Sequence, residues 1–280
     1  NAYAVSHNYA LISPGYPDRS YLLRKVANCI SADLALHNDE GTSMPQNNDP
    51  LDWEEIELIR QWILFGAPET GEVVKKSVIN EYYTIGGVDK IERPTPPKSC
   101  EGFQVHMGPL FFAPGEESEW FQRYDLNLPD TLEVTGLELF FNDESHHFIL
   151  RKFKEGTAQN WPQGVTPLNP LTAFDSDKDY VMAWQDNEDF RLPNGTAYKW
   201  APDESLDLNL HMYNPHNQIL PGEVYLNVYT QPKGTALKEM KSKCHDYPLS
   251  GQRYTSPAGS RRPGGWQRPA PGHGGVHRHR

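Results

Sequence analysis

Cysteine is scarce: Cys29, Cys100 and Cys244 are the only three in a chain of 280 residues. Their odd number and the lack of any CxxC spacing exclude a disulfide framework and a cysteine-ligated zinc site. The CxxCH signature of covalent haem attachment is also missing. No apolar run approaches the ~20 residues that a membrane-spanning helix needs, so no transmembrane helix is expected. Positive charge is in short supply, with a net charge of −11. Residues 250–280 nevertheless hold six arginines and no acid, so the remainder is more acidic than the total. Such a body repels phosphate backbones and anionic membranes, which sets nucleic acid aside as a partner. Neither an initiator methionine nor a signal-peptide pattern opens the chain, which is read as an internal piece of a longer product.

What is present points to a globular, β-rich protein. Hydrophobic residues make up 37% and charged residues 22%, and the 24 prolines and 22 glycines favour short strands and turns over long helices. Four regions separate by composition. Residues 1–70 carry the helical signals. A short helix is expected over residues 19–26, after the turn Ser13-Pro14-Gly15. A longer one follows Asp49, which would cap it with Pro50 at the first helical position. Ile56, Ile59 and Ile63 recur there at helical spacing beside Trp53 and Trp62, and Gly66 ends the pattern. Residues 71–99 read as a linker ending in Arg93-Pro94-Thr95-Pro96-Pro97.

Residues 100–249 change to strand periodicity. Strands are expected over 132–134 and 137–141, with a slip at Gly136, and over 146–153. In 205–213, Leu206, Leu208, Leu210 and Met212 share one face, while Asp207, Asn209, His211 and Tyr213 share the other. In 223–230, Val224, Leu226 and Val228 point inward. The fold class is therefore mainly β, an antiparallel β-sandwich with a small helical piece before it. Residues 250–280 lack Ile, Leu and Phe and are rich in Gly, Pro and Arg, a composition expected to be a disordered tail.

His146 and His147 are the first candidates for chemistry. Successive strand residues point to opposite faces, so both rings reach one metal ion only if the backbone twists or bulges, or if different ring nitrogens coordinate. His211 on the polar face of its strand is an accessible third ligand. Three neutral imidazoles suit copper and also zinc, and spacing alone does not choose between them. A plainer alternative has the pair closing a turn and His211 on the surface. A hydrolytic zinc site ranks lower, since no Asp or Glu is placed as a general base.

The order of motifs between residues 102 and 259, about half the chain, is more specific. Pro114-Gly115-Glu116-Glu117-Ser118-Glu119-Trp120-Phe121 comes first, followed by Ser145-His146-His147-Phe148-Ile149-Leu150. Leu192-Pro193-Asn194-Gly195 then precedes Leu208-Asn209-Leu210-His211-Met212-Tyr213, and Ser256-Pro257-Ala258-Gly259 closes the series. This set resembles the N-terminal catalytic domain of the copper type II, ascorbate-dependent monooxygenases, the family of peptidylglycine α-hydroxylating and dopamine β-monooxygenases. The resemblance implies a jelly-roll-like domain with one copper ion on His146, His147 and His211, acting in electron transfer. In that family a second domain carries the hydroxylating copper on an HxH motif and a methionine. His277 and His279 have that spacing but fall in the coreless tail, so electron transfer is expected and hydroxylation is not. His216, His106 and Met107 are read as bystanders, the last two within possible reach of the metal.

Further upstream, Ser13-Pro14-Gly15-Tyr16-Pro17-Asp18-Arg19, Gly41-Thr42-Ser43-Met44-Pro45 and Arg60-Gln61-Trp62-Ile63-Leu64-Phe65-Gly66 resemble the C-terminal half of small bacterial c-type cytochromes. That likeness implies Met44 as a haem axial ligand, with the Trp62 helix beside the haem. The attachment motif and proximal histidine would then lie upstream of Asn1. Together the two likenesses imply a redox protein in which haem c relays electrons to copper. They also imply an electron donor or small-molecule reductant as partner, and a periplasmic or extracellular bacterial setting. The competing reading is a non-enzymatic sandwich adaptor with vestigial histidines and exposed Tyr and Trp as a ligand surface.

Overall fold

Strand alternation in the second half of the chain is realised as two packed sheets. The computed structural model describes residues 10–27, 36, 40–168 and 176–241. Cys29, Cys244, the 250–280 tail with His277 and His279, and the segment Ser256-Pro257-Ala258-Gly259 lie outside the described residues. The strands are β1 (Gly102–Phe112), β2 (Glu117–Asp125), β3 (Leu132–Phe141), β4 (Ser145–Phe153), β5 (Gly164–Pro167), β6 (Lys178–Trp184), β7 (Glu188–Arg191), β8 (Thr196–Trp200), β9 (Ser205–Tyr213), β10 (Leu220–Gln231) and β11 (Lys238–Glu239). One sheet runs β1-β10-β3-β8-β11, with β7 also paired to β3, and the other runs β5-β2-β9-β4-β6. Pairing is antiparallel except between β8 and β11.

The core lies between the sheets. Leu206, Leu208, Leu210 and Met212 of β9 meet Val224, Leu226 and Val228 of β10, together with Leu137, Leu139 and Phe141 of β3 and the indoles of Trp184 and Trp200. Each fully buried aliphatic side chain of this kind contributes about 1.5–3 kcal/mol. The slip expected at Gly136 is a bulge: the register passes from Gly136↔Tyr229 to Val134↔Thr230, leaving Thr135 unpaired. Both faces of β9 are buried in its first half, because Asp207 and Asn209 on the polar face are as enclosed as the leucines.

Three helices precede the sandwich, α1 (Tyr21–Val26), α2 (Trp53–Leu64) and α3 (Lys76–Thr84), and α1 packs on α2. The start of α2 differs from expectation, since its N-cap is Asp52 and not Asp49. Glu55 is long enough to reach back and accept the Asp52 N–H at 3.0 Å, forming a capping box. The side chain three residues after Asp49 is the shorter Asp52. Gly66 ends the helix as read. It adopts φ 88°, donates to Ile63 O at 3.0 Å, and leaves Ala67 N–H to reach Trp62 O at 2.8 Å.

The 71–99 stretch, read as a linker, contains α3. This helix is short and has no side-chain cap, so its periodicity is weak in sequence. Docking holds it: Ile79 is fully buried, Asn80 donates to Glu54 at 2.7 Å and the Tyr83 hydroxyl to Glu57 at 2.9 Å. Leu23, Ala27, Ile56 and Ile63 form a separate small apolar core between α1 and α2.

Apart from Leu64, which joins the sandwich core, the face of α2 turned to the sandwich is polar. Glu57 and Arg60 form a buried ion pair. Arg60 Nη1 donates to Gly108 O and Gln61 Nε2 to Pro109 O, both at 2.9 Å, where the β1 register shifts. The N-terminal segment is tied in as well. Gly15 N–H donates to Ile63 O at 2.7 Å, and Asp125 N–H to the Tyr16 hydroxyl at 2.6 Å. A Cβ on Gly15 would lie 2.6 Å from Gly164 N, so only glycine permits that approach.

Burial alone would raise the Glu57 carboxyl, but the Arg60 guanidinium, Lys90 and the Gln61 amide outweigh it and hold the group below its ordinary value. Its contribution to stability is therefore complete above about pH 4.5 and is lost as pH falls below that. Glu57→Leu leaves Arg60 buried without its counter-charge and is expected to destabilise the fold by about 3–5 kcal/mol in urea unfolding at pH 7. The deficit should shrink in acid. A loss under about 1 kcal/mol would show that this polar joint does not hold α2 in place.

Candidate metal centre

β2, β9 and β4 lie side by side, and their registered residues share faces. Trp120↔Leu210↔Phe148 points into the core, and the next row outward is Glu119↔His211↔His147. In a regular strand His146 would turn away from His147. The β4–β9 ladder instead steps from Ser145↔Met212 to His147↔His211, which makes His146 an extra residue with no partner on β9. The Ser145 hydroxyl braces the irregularity, lying 3.3 Å from the carbonyl oxygens of both His147 and His211.

The bulge brings the three rings together. Ring centroids are 5.5 Å apart for His146–His147, 5.0 Å for His146–His211 and 4.9 Å for His147–His211. One nitrogen from each ring can be chosen so that all three lie within 4.8 Å of one another. The Nδ1 atoms of His146 and His147 are 3.3 Å apart. His146 is exposed, whereas the other two rings are partly enclosed.

Two carboxylates flank the cluster. Glu117 Oε1 lies 3.1 Å from His211 Nε2, and Glu119 Oε1 lies 3.5 Å from His147 Nε2, the latter outside hydrogen-bonding geometry. Glu119 is itself fixed by Asn209, fully buried beneath it, which donates at 2.9 Å. His211 Nδ1 is buried and has no hydrogen-bond partner among the described residues. Burial pushes the His147 imidazole below its ordinary value, and the neighbouring His211 and His146 add to this, while Glu119 only partly opposes it. The ring is thus held neutral near pH 7, the form that ligates metal.

The remaining sequence candidates stand apart. His106 lies on β1 in the other sheet, stacked on Tyr225 at 4.3 Å and 3.3 Å from Glu223, and Met107 is buried in the core. His216 sits in the β9–β10 loop, 2.6 Å from Glu144. Met44 is 44% exposed, on a loop whose Met44 N–H donates to Lys25 O at 2.8 Å. Glu117, Glu119 and Asn209 were not singled out as site residues. The i, i+2 spacing of the two glutamates on one strand was a signal for them, but the pairing of that strand with His211 was not. Neither a family model nor a curated protein matches this chain.

A testable consequence concerns the proton on His211. With Nε2 facing a carboxylate and Nδ1 enclosed without a partner, the ring should be the Nε2–H tautomer in metal-free protein. Long-range 1H–15N NMR reads this directly, and an Nδ1–H signal would contradict the geometry.

Proposed function

We propose that His146, His147 and His211 bind one copper ion and that the protein is a redox protein using this ion for electron transfer. The observation that carries the reading is the convergence of three ring nitrogens within 4.8 Å through a bulge at His146. The chemistry of the donors fits a metal ion. His211 offers a buried nitrogen with no partner, His147 is held neutral, and two acidic side chains add favourable charge. Imidazole donors alone suit zinc equally well. The choice of copper rests on the ordered likeness to the ascorbate-dependent copper monooxygenases, as does the proposed jelly-roll-like character of the sandwich. Bound copper would supply one-electron chemistry. The chain's own residues would hold the rings on neighbouring strands, keep His147 neutral and orient His211 through Glu117.

On the same grounds the helical region is proposed as the distal part of a c-type haem module, with Met44 as axial ligand and a periplasmic or extracellular setting. Support comes from the accessible Met44 side chain and the anchoring of its loop to α1. Haem would deliver electrons to copper, and a donor protein or small reductant would supply them. Gene sequence upstream of Asn1 tests this part: without a CxxCH within a few dozen residues, the haem reading falls.

Copper titration followed by electron paramagnetic resonance tests the centre. One equivalent should bind with nitrogen hyperfine structure, a small-molecule reductant should bleach the signal, and air should restore it. His147→Ala should abolish stoichiometric binding. Glu119→Gln, which alters only a partner of a ligand, should weaken binding about 10–100-fold. Stoichiometric copper that survives His147→Ala would sink the assignment.

A further inference from the structure

A cavity of ≈ 240 Å³ opens between α2, β1, β10 and the segment that carries Lys90 and Arg93. It shares no residue with the histidine cluster, and its volume falls below the roughly 300–1,000 Å³ of pockets for drug-sized ligands. Its walls carry Arg60, Lys90, Arg93, His106, Glu223 and Tyr225, with Asp18 at the exposed rim. These groups differ in how far they are satisfied. Arg60 is held by Glu57 and Gly108 O, and Arg93 Nε donates to Gln104 Oε1 at 2.8 Å. Glu223 Oε1 lies 3.3 Å from His106 Nε2. Among the described residues, Lys90 Nζ has no hydrogen-bond or ion-pair acceptor, and the Tyr83 ring centroid is 6.0 Å away.

Lys90 is partly enclosed, and burial together with the nearby Arg60 guanidinium pushes it below its ordinary value. A ligand carrying negative charge would favour the charged ammonium there. The neighbouring carboxylate of Glu223 disfavours a dianion such as phosphate and leaves room for a single charge. His106 and Tyr225 stack with 7° between their planes and present a flat wall. We propose that this cavity binds a small planar monocarboxylate, with Lys90 Nζ as its anchoring cation and the His106–Tyr225 pair as the surface it lies against.

Benzoate is a suitable probe, with neutral benzamide and inorganic phosphate as comparisons, titrated into the full chain by calorimetry. Benzoate should bind saturably at one equivalent, with benzamide and phosphate each at least about tenfold weaker. Lys90→Met should weaken benzoate about tenfold or more without lowering the melting temperature, and Lys90→Arg should retain most of the affinity. Lys199→Met, which does not line the cavity, should change nothing. Any of four results would overturn the proposal: no saturable binding, equal affinity for benzamide, tighter binding of phosphate, or benzoate affinity unchanged in Lys90→Met. The benzamide comparison needs no variant, so it decides the matter even if Lys90→Met fails to fold.

Discussion

One unpaired residue in the β4–β9 ladder governs the geometry of the histidine cluster. Strand periodicity is two, and without an insertion His146 and His147 would project from opposite faces of the sheet. The added residue at His146 breaks that alternation for a single step and restores it at His147. Everything after the step keeps its burial: Phe148 and Leu150 remain in the core, opposite Leu210 and Leu208. A bulge at the edge of a sheet could relax by fraying, but β9 is the middle strand of five and is paired on both sides. The irregularity is therefore held by the ladder around it and by the Ser145 hydroxyl.

The same sheet explains why the polar face of β9 is buried without being apolar. Asp207 faces Arg151 at 3.2 Å and Lys178 at 3.0 Å, and the Asn209 amide nitrogen donates to Glu119, so both enclosed side chains have a partner across the strand. Burial raises the Asp207 carboxyl and the two cations oppose it. On the other side of the molecule, α2 follows the same rule. Glu57, Arg60 and Gln61 turn inward because the backbone of β1 at Gly108 and Pro109 supplies carbonyls that no strand neighbour takes. Polar groups thus set position in both places, while the apolar contacts between sheets supply most of the stability.

Much of this was legible in the sequence, and unevenly so. Alternation in 205–213 and 223–230 identified β9 and β10 with their inward faces, because apolar–polar period two is a local property. Gly136 marked a bulge within one residue of its position, since a glycine interrupting an apolar strand pattern has few other causes. The histidine triad was legible as residues, and the need for a bulge to bring the rings together followed from adjacency alone. The bulge itself was not, because it depends on which strand lies beside β4. For the same reason Glu119 and Asn209 were missed as supports: each acquires its role through pairing of segments about ninety positions apart. The helix α3 was hidden differently, in a nine-residue segment whose order comes from Glu54 and Glu57 on a neighbouring helix.

The arrangement around the cluster also bears on what kind of chemistry it suits. Two of the rings stand on neighbouring strands in direct register, and the third is fixed by the step between them, so ring positions are set by backbone and not by long flexible side chains. The Glu117 carboxylate at His211 Nε2 limits rotation of that ring about its Cβ–Cγ bond. Rings placed in this way have little freedom to rearrange when an ion binds. Of the described acidic side chains, Glu117 stands beside His211 Nε2 and Glu119 beside His147 Nε2, and their negative charge favours a cation over an anion at the cluster.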